Sequence, residues 1–406
     1  MRLLFVVQRY GAEVAGGSEA FCRAFATRLA ARGHEVDVVT SCAVSYRDWA
    51  DHYPAGTEVV DGVTVHRLPV TRPRDDRFFD PLNARVVWGG RPVPLHLQVE
   101  WMRMQGPLVE GLPGWLRDRA AGYDCCSFFT YLYWTTWAGL GAAAPYVPTV
   151  LHPTAHDEPP MYLPIFDFVF SVPAGFGYLT EEEEDLVRRR FRVRAPSVVT
   201  GVGVDLDAAG DPDAFRRRFD LGDDPYLLYL GRIDPSKGSD ELVDFFAAVK
   251  RRNPSPLKLV VVGERSRPPG SHVDVIVTDF VDEATKQGAL AGALALVQPS
   301  YFESFSMVLT EAWSQRRPAV VQRHCDVLAG QAARSGGAIP YGGFGEFEAA
   351  VQVLLDDPGL ADRLGAAGRR YVERRYDWPA VLERYEAFLA SVAGRRTGRA
   401  GSLTAR

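Results

Sequence analysis

The sequence lacks a membrane-crossing segment: no apolar run approaches the ~20 residues that a spanning helix needs. Cysteine is also scarce, with five among 406 residues, Cys22, Cys42, Cys125, Cys126 and Cys325. An odd number without CxxC spacing argues against a disulfide framework and a zinc site, and points to a reducing, cytoplasmic setting. The opening "MRLLFVVQRY" has neither the long apolar core nor the cleavage site of a secretory leader. A basic surplus is missing too. With 46 Lys and Arg against 51 Asp and Glu, the net charge of -5 gives no chain-wide footprint for nucleic acid. Arginines do gather at Arg72, Arg74, Arg77, Arg85 and Arg91, and again from Arg188 to Arg194. Each group is either a solvated face or a patch for an anionic acceptor or an acidic membrane surface, met peripherally from one side.

What is present is a globular composition, 47% hydrophobic and 24% charged, in a chain too long for one comfortable core. "RLLFVV" (2–7) reads as a buried parallel strand, and after a glycine-containing loop Phe21, Phe25 and Leu29 recur at helical spacing. Gly33 closes that helix and "HEVDVVT" opens the next strand. The pattern restarts with "YLLYLG" (226–231), the loop "RIDPSKGS", the helix "DELVDFFAAVKRR" and the strand "LKLVVVG" (257–263). Strand, loop, helix, strand, twice over, opens a doubly wound unit. The expected fold class is therefore α/β, two Rossmann-like domains facing across a cleft. Boundaries are expected at 1–200, 201–375, an amphipathic helix at 376–393 and a disordered tail at 394–406. The stretch 70–120, rich in Pro, Arg and Trp, shows no assignable pattern, and "TYLYWTTWAGL" (130–140) reads as a buried helix rather than a sugar platform.

Two segments carry candidate chemistry. Arg232 and Lys237 flank a proline turn before Gly238 and a helix start, where two cations and free backbone N–H groups can converge on a diphosphate; the bland alternative is two surface cations. In "PSYFESFSMVLTEAW" (299–313), Glu303 and Glu311 stand eight positions apart, with a helix expected from about Ser304. Two helical turns would separate them by about 12 Å, near the reach of a sugar nucleotide across its pyrophosphate. An ionised carboxylate accepts from a vicinal diol through two oxygens. A capping acid and a solvated helix acid are the alternative.

Together "LYLGRIDPSKGSDELVDFF", "LKLVVVGE" and "VQPSYFESFSMVLTEAWSQRRPAVV" resemble the donor-binding domain of the retaining glycosyltransferases of family 4, whose fold is named GT-B. The resemblance spans most of 200–392. It implies Arg232 and Lys237 on the donor diphosphate, Glu303 on the donor sugar and Glu311 on the ribose. It adds Gly263, Ser304, Phe305, Ser306 and Met307 to the donor site, and a terminal helix crossing back to an acceptor-side N-terminal domain. "GGSEA" is similar to the family's glycine loop, which assigns Gly16 and Gly17 to binding. "TVLHPTAHDEPP" is similar to its strand-end histidine, which assigns His156; His152 then belongs to the core. Ser306 departs from the glycine common at its position, and its hydroxyl is available for an extra donor contact. "DLD" (205–207) at the domain crossing reads as turn chemistry, so no metal and no cofactor are expected.

The resemblance implies transfer of a sugar from a nucleotide diphosphate to an acceptor hydroxyl with retention, in glycan, glycolipid or glycosylated metabolite assembly. Catalytic roles fall to Arg232, Lys237, Glu303 and His156. A nucleotide-sugar epimerase and a non-catalytic sugar-nucleotide-binding module are the competing readings.

Overall fold

Short apolar runs become buried strands because parallel sheets covered by helices on both faces leave no wet side for alternation. The computed structural model describes residues 1–14, 16–233, 237–263 and 272–403, with side chains through 394. The chain divides into two compact units, Met1–Thr200 together with the chain from Leu382 on, and Gly201–Val381. No helix among the described residues is long and apolar enough to cross a membrane.

The first unit runs β1 (Arg2–Val6), α1 (Gly17–Ala31), β2 (Glu35–Ser41), β3 (Gly56–Val60), β4 (Val63–Leu68), α2 (Asp76–Val87), α3 (Leu95–Gln105) and α4 (Leu112–Arg119). It continues through β5 (Cys125–Phe129), α5 (Trp134–Ala143), β6 (Thr149–His152), α6 (Ile165–Ser171), β7 (Gly175–Tyr178), α7 (Glu181–Arg190) and β8 (Ser197–Val199). The described strands pair in the order β3-β4-β2-β1-β5-β6-β7-β8, parallel apart from the β3/β4 hairpin. Connections leave β1 to one side and β5 to the other, so a topological switch point lies between them.

The stretch 70–120, unreadable in sequence, is α2, α3 and α4. Each buries only a few side chains, among them Phe79, Val86, Trp101, Met102 and Leu116, which is too sparse for a clear period. Asp75 caps α2, and Trp101 donates from Nε1 to Asn83, tying α3 to α2. Arg74 is structural: it donates to the Tyr46 and Arg47 carbonyls and lies 4.6 Å from the Phe79 ring centre. In α5, Trp134, Thr135, Thr136 and Leu140 are buried, as a core helix requires.

The second unit runs α8 (Pro212–Arg218), β9 (Tyr226–Leu230), α9 (Ser239–Arg252), β10 (Lys258–Val262), β11 (Val275–Thr278), α10 (Glu283–Gly292) and β12 (Ala295–Gln298). After these come α11 (Met307–Ser314), β13 (Ala319–Gln322), α12 (Asp326–Ser335), β14 (Ala338–Tyr341), α13 (Phe344–Asp356), α14 (Pro358–Arg375) and α15 (Trp378–Leu403). Its described sheet is wholly parallel in the order β11-β10-β9-β12-β13-β14. That is the doubly wound dinucleotide-type order, with its switch point between β9 and β12. From Leu382, α15 belongs to the first unit. Of the tail expected to be disordered, side chains from 395 and all of 404–406 lie outside the described residues.

Candidate active site

Ligands of such sheets bind beyond the carboxyl ends of strands at the switch point, and in the second unit the loops leaving β9 and β12 meet there. The exit from β9 passes Gly231 and the exposed Arg232, whose carbonyl accepts from the Tyr229 hydroxyl at 2.6 Å. Gly263, at the end of β10, could hold no side chain: its Cβ would lie 1.9 Å from the Gly231 carbonyl oxygen. Gly238 caps α9 at φ 72°, and a Cβ there would meet the Pro299 carbonyl at 2.6 Å. Glycine thus lets the two loops touch. Residues 234–236, in the middle of the Arg232–Lys237 loop, lie outside the described residues.

Across that contact Lys237 donates from Nζ to Glu303 Oε1 at 2.8 Å and to the Phe302 carbonyl at 3.2 Å. The side chains keep 26% and 14% of their exposure, so the pair is neither solvent-bathed nor sealed. The residues assigned to diphosphate and to sugar therefore neutralise one another here.

Helix α11 starts at Met307, three residues later than the sequence suggests, because Ser306 sits at φ 69° in the left-handed region. Only Glu311 is helical, so the axial rise computed between the two glutamates does not apply. That backbone costs a non-glycine residue about 1–2 kcal/mol, which explains a preference for glycine. The Ser306 hydroxyl, within the core, accepts from Gln298 Nε2 at 2.9 Å and keeps its own O–H to donate. The Phe305 ring is also inside, 2% exposed and edge-on to Tyr376 at 5.0 Å, while Gln331 donates to its carbonyl. Phe305 thus orients the turn from below. Glu311 belongs to a separate network: Lys286, on α10, donates to Glu311 Oε1 at 2.9 Å and reaches Glu283 Oε2 at 2.9 Å. Burial acts to lower the Lys286 pKa, but the two carboxylates outweigh it and raise it. Lys286 went unnoticed in sequence, 25 positions from its partner.

In the first unit the loop leaving β1 is braced by a buried ion pair. Arg9 donates from Nε to Glu19 Oε1 at 2.8 Å, and Ser18 donates to the other carboxylate oxygen. A Cβ at Gly16 would meet Glu19 Oε2 at 2.2 Å, whereas one at Gly17 would meet nothing within 4 Å. Gly16 is thus a packing requirement, and Gly17 opens the uncapped start of α1 to free space. Strand β6 ends at His152, so His156 lies on the following loop and not at the strand's last residue. His152 is fully buried. Its Nδ1–H donates to the Gly177 carbonyl at 3.0 Å, leaving Nε2 to accept from the Tyr385 hydroxyl at 2.8 Å, and burial lowers its pKa to about 3. His156 Nδ1 lies 3.2 Å from Glu158 Oε1, which also accepts from Tyr131. The buried Glu183 holds this loop by accepting from the Ala155 and Leu179 N–H groups, each at 2.7 Å. Burial raises its pKa to about 7 against the opposing effect of those donors.

Asp205 and Asp207 flank a turn whose Leu206 carbonyl accepts from Arg369. Among the described residues no three His, Cys, Asp or Glu side chains are grouped to hold a metal.

The family model described as Glycosyl transferases group 1 matches residues 224–357. The likeness to the group 1 glycosyl transferases lies in this stretch. The match contains Arg232, Lys237, Gly263, Glu303 and Glu311; Gly16, Gly17 and His156 lie outside it. Glycogen synthase of Mycobacterium tuberculosis is 26% identical over 419 residues, covering 98% of this chain and 96% of that protein. Sucrose-phosphate synthase from Thermosynechococcus elongatus superposes with TM-score 0.73 at 18% identity, over 97% of this chain and 100% of its own. HepE of Anabaena, solved with UDP-glucose, gives TM-score 0.69 at 15% identity, over 96% and 100%. At such identities the solved structures show the fold, and this chain has the GT-B fold.

Proposed function

We propose that the protein is a retaining, metal-independent glycosyltransferase that moves a sugar from a nucleoside diphosphate to an acceptor hydroxyl. The observation that carries this reading is the meeting of Lys237 and Glu303 at the switch point, inside the matched segment. A diphosphate arriving there offers Lys237 a stronger counter-ion and frees Glu303 to accept from sugar hydroxyls. Arg232 and Lys237 stabilise the charge that develops as the sugar C1–phosphate oxygen bond breaks. The acceptor oxygen bonds to C1 on the same face, and its proton passes to the departing phosphate oxygen. In this assignment His156, Gly16 and Gly17 serve the sugar and the acceptor. HepE, solved with UDP-glucose, lends support to a uridine nucleotide donor.

The five buried free thiols favour a reducing, cytoplasmic location. Peripheral contact with an anionic membrane face has support in Phe78, Trp88 and Leu95, which are 64%, 66% and 57% exposed beside the exposed Arg85 and Arg91.

The test is to find the sugar nucleotide that most raises the melting temperature, then assay its hydrolysis and transfer. Lys237→Ala should lower the rate by about 100-fold or more, the usual scale for losing a charge-stabilising group, with little change in melting temperature. A near wild-type rate rejects the assignment; conversion of donor alone to an isomer establishes an epimerase.

A further inference from the structure

Lysine is rare in this chain. Four of its 46 basic Lys and Arg residues are lysines, at 237, 250, 258 and 286. Two of these four hold the two site glutamates, Lys237 on Glu303 and Lys286 on Glu311. An ammonium is a compact charge with three independent donors, unlike the planar fork of arginine. At Lys286 two donors are committed, to Glu311 Oε1 and to Glu283 Oε2. The third has no partner among the described residues.

Glu311 is left in a matching state. Its Oε1 is pinned by Lys286, while its Oε2 is buried with no hydrogen-bond partner among the described residues. A buried carboxylate oxygen without a donor is uncommon and calls for an explanation. The Lys286 carboxylate partners differ here, because both oxygens of Glu283 are engaged, by Gln287 and by Lys286. Only Glu311 keeps an oxygen in reserve.

We propose that Lys286 is a specificity-determining residue of the donor site, which makes the Glu311 subsite selective for a ribonucleoside. Glu311 Oε2 accepts from one hydroxyl of a vicinal diol, and the remaining Lys286 N–H donates to the neighbouring hydroxyl oxygen. One acceptor beside one donor is complementary to adjacent hydroxyls, and a 2′-deoxyribose leaves one of the two unsatisfied. This rests on the donor-site reading above, in which Glu311 meets the ribose, and adds the residue of α10 that discriminates the ribose diol.

The experiment measures affinities of UDP, ADP and GDP and of their 2′-deoxy counterparts for the wild type, Lys286→Met and Lys286→Arg, with circular dichroism to confirm folding. The wild type should prefer the favoured ribonucleotide by about ten-fold or more, since a hydrogen bond to a charged group is at stake. Lys286→Met should weaken that nucleotide and narrow the ribo/deoxy ratio toward one. With the stabilising sugar nucleotide as donor, its KM should rise while kcat holds. Lys286→Arg should recover part of the affinity but not the full ratio. An unchanged ratio in a folded Lys286→Met protein, or a wild type that prefers the deoxy form, overturns the proposal alone. Should no nucleoside diphosphate bind the wild type, the donor-site reading falls with it.

Discussion

Two ion pairs, one in each unit, differ in what surrounds them. Arg9 and Glu19 keep 6% and 5% of their side-chain exposure, and the guanidinium also donates to the Val44 carbonyl. Lys237 and Glu303 keep 26% and 14%, on loops leaving adjacent strands. The first pair is a brace: two desolvated charges, each with further hydrogen bonds, whose separation leaves a bare ion inside the fold. The second, on the proposed function, is a placeholder in which a stronger anion displaces the carboxylate; its partial exposure supports that reading. On the proposed function, the same pairing of charges serves architecture in one place and chemistry in the other, and burial separates the two.

The comparison breaks most visibly at the brace. Arg9→Met should cost about 3–5 kcal/mol of stability by stranding Glu19, read as a shift in the denaturant midpoint, and Glu19→Leu in the same chain should restore much of it. A loss under 1 kcal/mol in the single variant makes the brace ornamental. At the placeholder, Glu303→Gln should leave the midpoint nearly unmoved. It should bind free nucleoside diphosphate about three- to ten-fold more tightly by calorimetry, because Lys237 is released from its counter-ion, yet transfer sugar poorly. Weaker diphosphate binding would show that Glu303 does not compete for Lys237.

The smallest effect sharpens a third case, the buried Glu183, which is held by backbone donors. Its pKa stands near 7 against 4.5 in the unfolded chain, so the folded state prefers the protonated form. Stability from this group is present below pH 4.5 and lost as the pH rises through 7. Relative to Glu183→Gln, the wild type should therefore lose a few degrees of melting temperature between pH 5 and 7.5. A constant difference across that range removes the assignment.

The α/β class and both glycine-loop openings were legible because continuous apolar strands alternate with helices of clear period. Arg232, Lys237, Glu303 and Glu311 were legible as a set only through resemblance. Spacing misled at Ser306, where a left-handed residue delays the helix and carries no periodic mark. Long-range partners were invisible: Lys237 to Glu303 spans 66 positions, and Lys286 to Glu311 spans 25. The helices of 70–120 were hidden because polar residues take core places there, as Gln98 does by accepting from the Ile165 N–H and donating to the Val93 carbonyl.

The phenol of Tyr385 completes a chain at the centre of the first sheet, taking a hydrogen bond with Ser127 on β5 and supplying one to His152 on β6. The N-terminal half therefore cannot be excised at residue 200 and remain whole, since the imidazole Nε2 would lose its partner in apolar surroundings. A chimera that swaps this half for that of a relative must carry the closing helix with it, as a cassette made of two distant pieces of gene.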